Sequence, residues 1–82
     1  MYYIYILKSL KDKNLYIGRT NNFERRFKEH NSGKVSSTKS RRPFVLLEKI
    51  LANTEEESVA LELKYKKGYK REEVKRKHGG VA

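Results

Sequence analysis

Six tyrosines, two histidines, one aspartate and no cysteine bound the chemistry open to this 82-residue chain. Without cysteine there is no thiolate nucleophile, no zinc–thiolate site and no disulfide. His30 and His78 are too few and too far apart for a histidine-rich metal centre. Asp12, the single aspartate, lies in a turn-forming stretch and cannot form the paired-Asp half of a two-metal site. The five glycines are scattered, so no glycine-rich phosphate cradle exists. What remains is phenol, guanidinium, imidazole and glutamate chemistry. A metal in such a chain is one hard cation held by a single Glu and waters, which suits Mg²⁺.

Charge narrows the partners. Twenty Lys and Arg oppose ten Asp and Glu, leaving a net charge of +10. Such a field draws polyanions from a distance and weakens with salt. Nucleic acid is the first expectation, an anionic membrane the second, and mere solubility the plain alternative. No apolar run approaches the ~20 residues of a bilayer span. The apolar run 2–7 lacks the basic flank and cleavage site of a signal peptide, so a cytoplasmic protein without membrane attachment is expected.

The elements that must position these groups are legible in outline. Tyr2 to Leu7 is a continuous β-branched and aromatic run, the pattern of a strand covered on both faces. After a polar turn, Leu15-Tyr16-Ile17 forms a second strand ending at Gly18, completing a hairpin. Asn21 caps a helix, with Glu24 completing a capping box. Phe23, Phe27 and His30 recur at helical spacing before Asn31 and Gly33 stop it. A basic Ser/Thr loop to Arg42 precedes a third strand, Phe44 to Leu51. Thr54 and Glu57 form a second capping box for a helix through Val59, Leu61, Leu63 and Tyr65 that breaks at Gly68. Tyr69 to Lys77 reads as a short third helix. The expected architecture is α+β, a small three-stranded sheet flanked by two to three helices, in one domain over 1–77 with a frayed tail over 78–82.

The order of short motifs carries a resemblance. Tyr3-Ile4-Tyr5, ten residues, then Tyr16-Ile17-Gly18 resembles the paired strand motif of the GIY-YIG endonuclease superfamily. The match continues through Arg19, Phe23-Glu24-Arg25-Arg26-Phe27, His30-Asn31-Ser32-Gly33, Arg41-Arg42-Pro43 and Glu57-Ser58 to Glu62. It is most similar to the small stand-alone YhbQ-like or UPF0213 branch. One departure is Tyr3, where the family motif has glycine. The resemblance implies an antiparallel β-β-α-β-α-α fold and divalent-metal-dependent hydrolysis of DNA phosphodiesters, with Mg²⁺ or Mn²⁺ as cofactor.

Carried over residue by residue, it makes Tyr5 and Tyr16 the phenols beside the scissile phosphate, and Gly18 the glycine that allows close approach. Arg26 becomes the phosphate clamp and Glu62 the metal-holding carboxylate. Arg19 and His30 fall at the basic and the His/Tyr positions. The roles this implies are Tyr5 as general base on water, Arg26 as charge stabiliser, and Tyr16 or His30 positioning water or a phosphate oxygen.

By helical spacing, Arg26 and His30 flank the stripe of Phe23 and Phe27, and Glu62 lies about 60° from Val59 at the margin of a buried face. Lys34, Lys39, Arg41, Arg42, Lys66 and Lys67 are candidate phosphate contacts. The expected function is an endonuclease of weak sequence preference, acting on particular DNA structures in repair or recombination. The alternative is a non-catalytic nucleic-acid-binding module or repair-complex subunit. A partner protein or self-association could supply target choice.

Overall fold

A computed structural model describes residues 1–78, with Tyr69 placed by its backbone alone. The element order is β1 (Tyr2–Ser9), β2 (Leu15–Thr20), α1 (Phe23–Ser32), a 3-10 turn (Lys39–Arg41), β3 (Phe44–Ala52), α2 (Glu55–Lys66) and α3 (Gly68–Lys77). One antiparallel sheet runs β2-β1-β3. The tail expected over 78–82 lies, from residue 79 onward, outside the described residues. No helix among the described residues is long and apolar enough to cross a membrane.

As the central strand, β1 has neighbours on both edges and helices over both faces, which is why its run is uniformly apolar. Ile4, Tyr5, Ile6 and Leu7 are all buried. Alternation sends Tyr5 and Leu7 to one face, with Phe23 and Phe44 and the half-buried Tyr3, Tyr16 and Phe27. Ile4 and Ile6 point to the other face, with Leu15, Ile17 and Val74, against Leu47, Ile50, Leu61 and Tyr65. The helices therefore divide: α1 covers the aromatic face, α2 and α3 the aliphatic one. Each large side chain so buried contributes roughly 1.5–3 kcal/mol relative to exposure. A register shift between Ile6 and Leu7 in the β1–β3 pairing leaves Leu47 as the extra residue of a bulge.

Local chemistry sets the element ends. Asp12 Oδ1 accepts from the Asn14 N–H at 2.9 Å, and Lys13 takes the left-handed conformation (φ 65°) that closes the hairpin. β2 continues past Gly18 to Thr20. The Thr20 hydroxyl oxygen accepts from the Asn22 N–H at 3.0 Å, so the capping residue of α1 is Asn22, one later than the expected Asn21. Asn22 accepts from the Arg25 N–H at 3.2 Å. Gly33, at φ 84°, is the left-handed C-cap. Thr54 caps α2 as expected, accepting from the Glu57 N–H at 3.1 Å.

The buried face of α2 differs from the sequence reading. Val59 and Leu63 are exposed, at 38% and 61%, while Ser58 is fully buried and Leu61 and Tyr65 face the core. Glu62 is thus set by its proximity to Ser58, about 40° away around the helix, rather than by Val59. Past α3, His78 Nε2 lies 2.9 Å from Glu48 Oε2, tying the end of that helix to β3.

Candidate active site

The hairpin register places Tyr5 directly opposite Gly18. The Tyr5 ring lies across that glycine: a Cβ there would fall 2.8 Å from Tyr5 Cε2 and within the envelope of Cζ and the hydroxyl. Tyr16 stacks beside Tyr5 with centroids 6.3 Å apart, and Phe23 and His30 close the other sides at 5.8 and 5.7 Å. The phenol is consequently 1% exposed.

Its hydroxyl lies 2.9 Å from His30 Nε2, and the Arg26 charge acts on the same phenol electrostatically. Burial pushes the Tyr5 pKa up to about 12, with the Tyr16 phenol and then Glu62 adding to the rise and Arg26 opposing it. Tyr5 is therefore a neutral phenol at pH 7.

His30, on the sheet side of α1, is fully buried. Its Nδ1 lies 2.8 Å from Thr38 Oγ1. Burial first, then the Arg26 charge, holds its pKa down at about 4, with Glu29 opposing. A neutral imidazole cannot complement the dipole at the end of α1, so its place is explained by the Tyr5 bond instead. Arg26 itself is steadied by Glu29 one turn on, at 3.1 Å.

Arg19 and Glu62 approach from the other side of β2. Alternation turns Arg19 away from Tyr16 and Gly18 and toward α2, where it reaches Ser58 Oγ at 3.5 Å, Glu62 at 3.6 Å and Glu55 at 3.7 Å. Lys66 holds the second Glu62 oxygen at 3.2 Å. The Glu62 charge reaches Tyr5, whose pKa it raises.

The strand that separates these two sets is the edge strand, so they meet around its rim. An open depression of about 400 Å³ at the Thr20 end is lined by Tyr2, Arg19, Arg25, Arg26 and Glu55. Another of about 270 Å³ at the Leu15 end is lined by Tyr16, Lys66 and Arg71. Arg26 links groove and core, since it lines the first depression and its charge acts on the Tyr5 phenol.

Among the described residues no three His, Cys, Asp or Glu side chains gather into a metal cluster. Glu62 is a lone carboxylate whose two oxygens face Arg19 and Lys66, so a hard cation there would have to displace one of them and keep most of its waters.

The structure thus brings together Tyr5, Tyr16, Gly18, Arg26 and His30, with Arg19 and Glu62 across the rim. Lys34, Lys39 and Arg42 stand exposed on the loop, and Lys66 and Lys67 on the α2 end. Arg41 is engaged instead: it pairs with Asp12 at 2.6 Å and covers the Phe44 ring at 5.5 Å. Sequence reasoning passed over Thr38, and met Ser58 within the Glu57-Ser58 to Glu62 match without giving it a role. Nothing distinguishes Thr38 in a stretch that also offers Ser36, Ser37 and Ser40, and a mid-helix serine carries no signal of burial.

Comparison with known proteins shows the family. The family model of the GIY-YIG catalytic domain matches residues 1–77. The chain is similar to a UPF0213 protein of Staphylococcus haemolyticus, 37% identical over 75 residues that cover 90% of each chain. A UPF0213 protein of Syntrophus aciditrophicus is 55% identical over 47 residues, 55% of this chain and about half (53%) of that protein. The solution NMR structure of the UPF0213 protein BH0048 from Bacillus halodurans superposes with a TM-score of 0.59 at 35% identity, covering 99% of this chain and 89% of that one.

Proposed function

This chain belongs to the GIY-YIG family, in its UPF0213 branch, and on that premise we propose that it is a small Mg²⁺-dependent endonuclease hydrolysing DNA phosphodiester bonds by direct attack of water. Residues 1–77 form the catalytic domain. The observation that supports the reading best is the buried Tyr5 hydroxyl bonded to His30 Nε2 at 2.9 Å, with the Arg26 charge acting on the same phenol.

Magnitudes choose between two ways of using Tyr5. With a pKa of about 12, ionising it at pH 7 costs about 7 kcal/mol. Protonating His30 from a pKa of about 4 costs about 4 kcal/mol. A relay therefore serves better than a resting phenolate. Water gives a proton to the Tyr5 oxygen as the phenolic hydrogen passes to His30 Nε2. The water oxygen bonds to phosphorus, the bond to the 3′ oxygen breaks, and that oxygen takes a proton from solvent.

Arg26, lining the groove, reaches a phosphate oxygen and stabilises the developing charge there. Tyr16 borders the groove and orients the water or a phosphate oxygen. Glu62 would hold a hydrated Mg²⁺, whose chemistry there is neutralisation of charge on the phosphate and the departing oxygen. Arg19 orients Glu62. The exposed lysines and arginines follow the phosphates without reading bases, so sequence preference is weak and DNA shape or a partner supplies the choice.

The test is a nicking assay over branched, flapped, single-stranded and duplex DNA in Mg²⁺ or Mn²⁺, comparing wild type with Glu62→Ala. Cleavage by wild type and its loss in the variant, with low-salt binding retained, is expected. Equal cleavage by both rejects the metal assignment. Tight binding without strand breaks by wild type replaces the enzyme with a binding module.

A further inference from the structure

Thr38 is a buried hydroxyl in a loop where Ser36, Ser37 and Ser40 are all exposed. Its Oγ1 is 2.8 Å from His30 Nδ1 and 3.4 Å from the Val35 carbonyl oxygen. A carbonyl only accepts, so the Thr38 hydrogen goes to Val35, and its oxygen receives the hydrogen on Nδ1.

The far end of the ring gives the same answer independently. The Tyr5 phenol is buried, so its hydrogen needs an acceptor, and His30 Nε2 is the partner its hydroxyl has among the described residues. A hydrogen on Nε2 would leave that buried phenolic hydrogen unpaired. With Nε2 bare, the phenolic hydrogen of Tyr5 has its acceptor at 2.9 Å. Both ends therefore select Nδ1–H.

We propose that Thr38 is a positioning residue: by accepting the Nδ1 hydrogen it fixes His30 in the tautomer whose Nε2 lone pair takes the phenolic hydrogen of Tyr5. His30 faces Tyr5, Tyr16 and Phe44 from the sheet, Arg26 and Glu29 from its own helix, and Thr38 from the loop. Of these, Thr38 bonds Nδ1. Thr38 is also the N-cap residue of the Lys39–Arg41 turn, so the basic loop and the buried phenol share one residue. The opposite tautomer would turn the phenolic hydrogen away from the imidazole and close the relay.

The kinetic part of the test rests on the nuclease reading; the spectroscopic part does not. In the ¹⁵N-labelled full chain at neutral pH, long-range ¹H–¹⁵N correlations read which ring nitrogen of His30 carries hydrogen, with His78→Gln identifying the other histidine. Wild type shows the hydrogen on Nδ1. Thr38→Val loses that single signature, and Thr38→Ser restores it. If the chain cuts DNA, Thr38→Val lowers kcat by about 10–100-fold with KM unchanged, and Thr38→Ser recovers most of it. Hydrogen on Nε2 in wild type overturns the proposal, even if Thr38→Val fails to fold. So does a Thr38→Val protein whose His30 keeps the wild-type tautomer. A chain without nuclease activity still decides the point by its spectrum.

Discussion

Replacing Gly18 with alanine is the smallest change that should disable the site without removing a polar group. The added Cβ would lie 2.8 Å from Tyr5 Cε2, well inside the ~3.5 Å carbon–carbon optimum, and closer still to Cζ and the hydroxyl oxygen. The ring cannot yield freely, because Tyr16, Phe23 and His30 enclose it. With those side chains in the way the ring must tilt or slide, and either movement spoils the alignment of its 2.9 Å bond to His30. Overpacking of this kind costs about 1–3 kcal/mol. At ~4–8 °C per kcal/mol for a domain this small, the melting temperature falls by roughly 4–24 °C. Displaced catalytic geometry lowers turnover by about 100-fold or more. Calorimetry and the nicking assay on the same preparation measure both. Wild-type melting would show that Tyr5 does not occupy this position. A lowered melting point with full cleavage would show that its placement is irrelevant to chemistry.

Acid should destabilise the protein through His30. Its folded pKa of about 4 lies below the ~6.5 of an unfolded histidine, so the unfolded chain binds the proton first. This contribution is complete above ~pH 6.5 and is lost as the pH falls towards 4, a change of about 3 kcal/mol. Urea titrations should show wild type losing that much more than His30→Gln; parallel curves would refute it. Tyr5→Phe deletes one hydroxyl and strands the His30 acceptor, costing about 1–3 kcal/mol. Its turnover should drop by ~10²–10⁴ with DNA affinity unchanged, and binding measurements beside single-turnover cleavage will separate the two.

How far the sequence reached follows from what periodicity can encode. The unbroken apolar run of β1 announced a strand covered on both faces, and Thr54 with Glu57 announced the start of α2. Three adjacent polar residues before α1 made the cap ambiguous, and the Thr20 hydroxyl resolved it in favour of Asn22. Helical spacing brought Arg26 and His30 near one face but gave no depth, so the full burial of His30 was out of reach. On α2, Val59 and Leu63 look like core residues, yet the contact is made through Ser58, Leu61 and Tyr65. Close approach of this helix to β2 favours a small side chain there, and residue size says nothing without the partner surface. Thr38 reaches His30 through a loop whose path no local pattern specifies.

Many cations on this surface already have a carboxylate beside them. Arg41 holds Asp12, Lys66 holds Glu62, Lys70 holds Glu73 and Lys77 lies by Glu48. A side chain neutralised within the protein exchanges one anionic neighbour for another when a phosphate arrives. The polymer still sheds its condensed cations, but the freed carboxylate recruits ions in turn. The steepness of affinity against log salt will therefore undercount the phosphates touched, and a modest gradient would be compatible with an extensive footprint on the duplex.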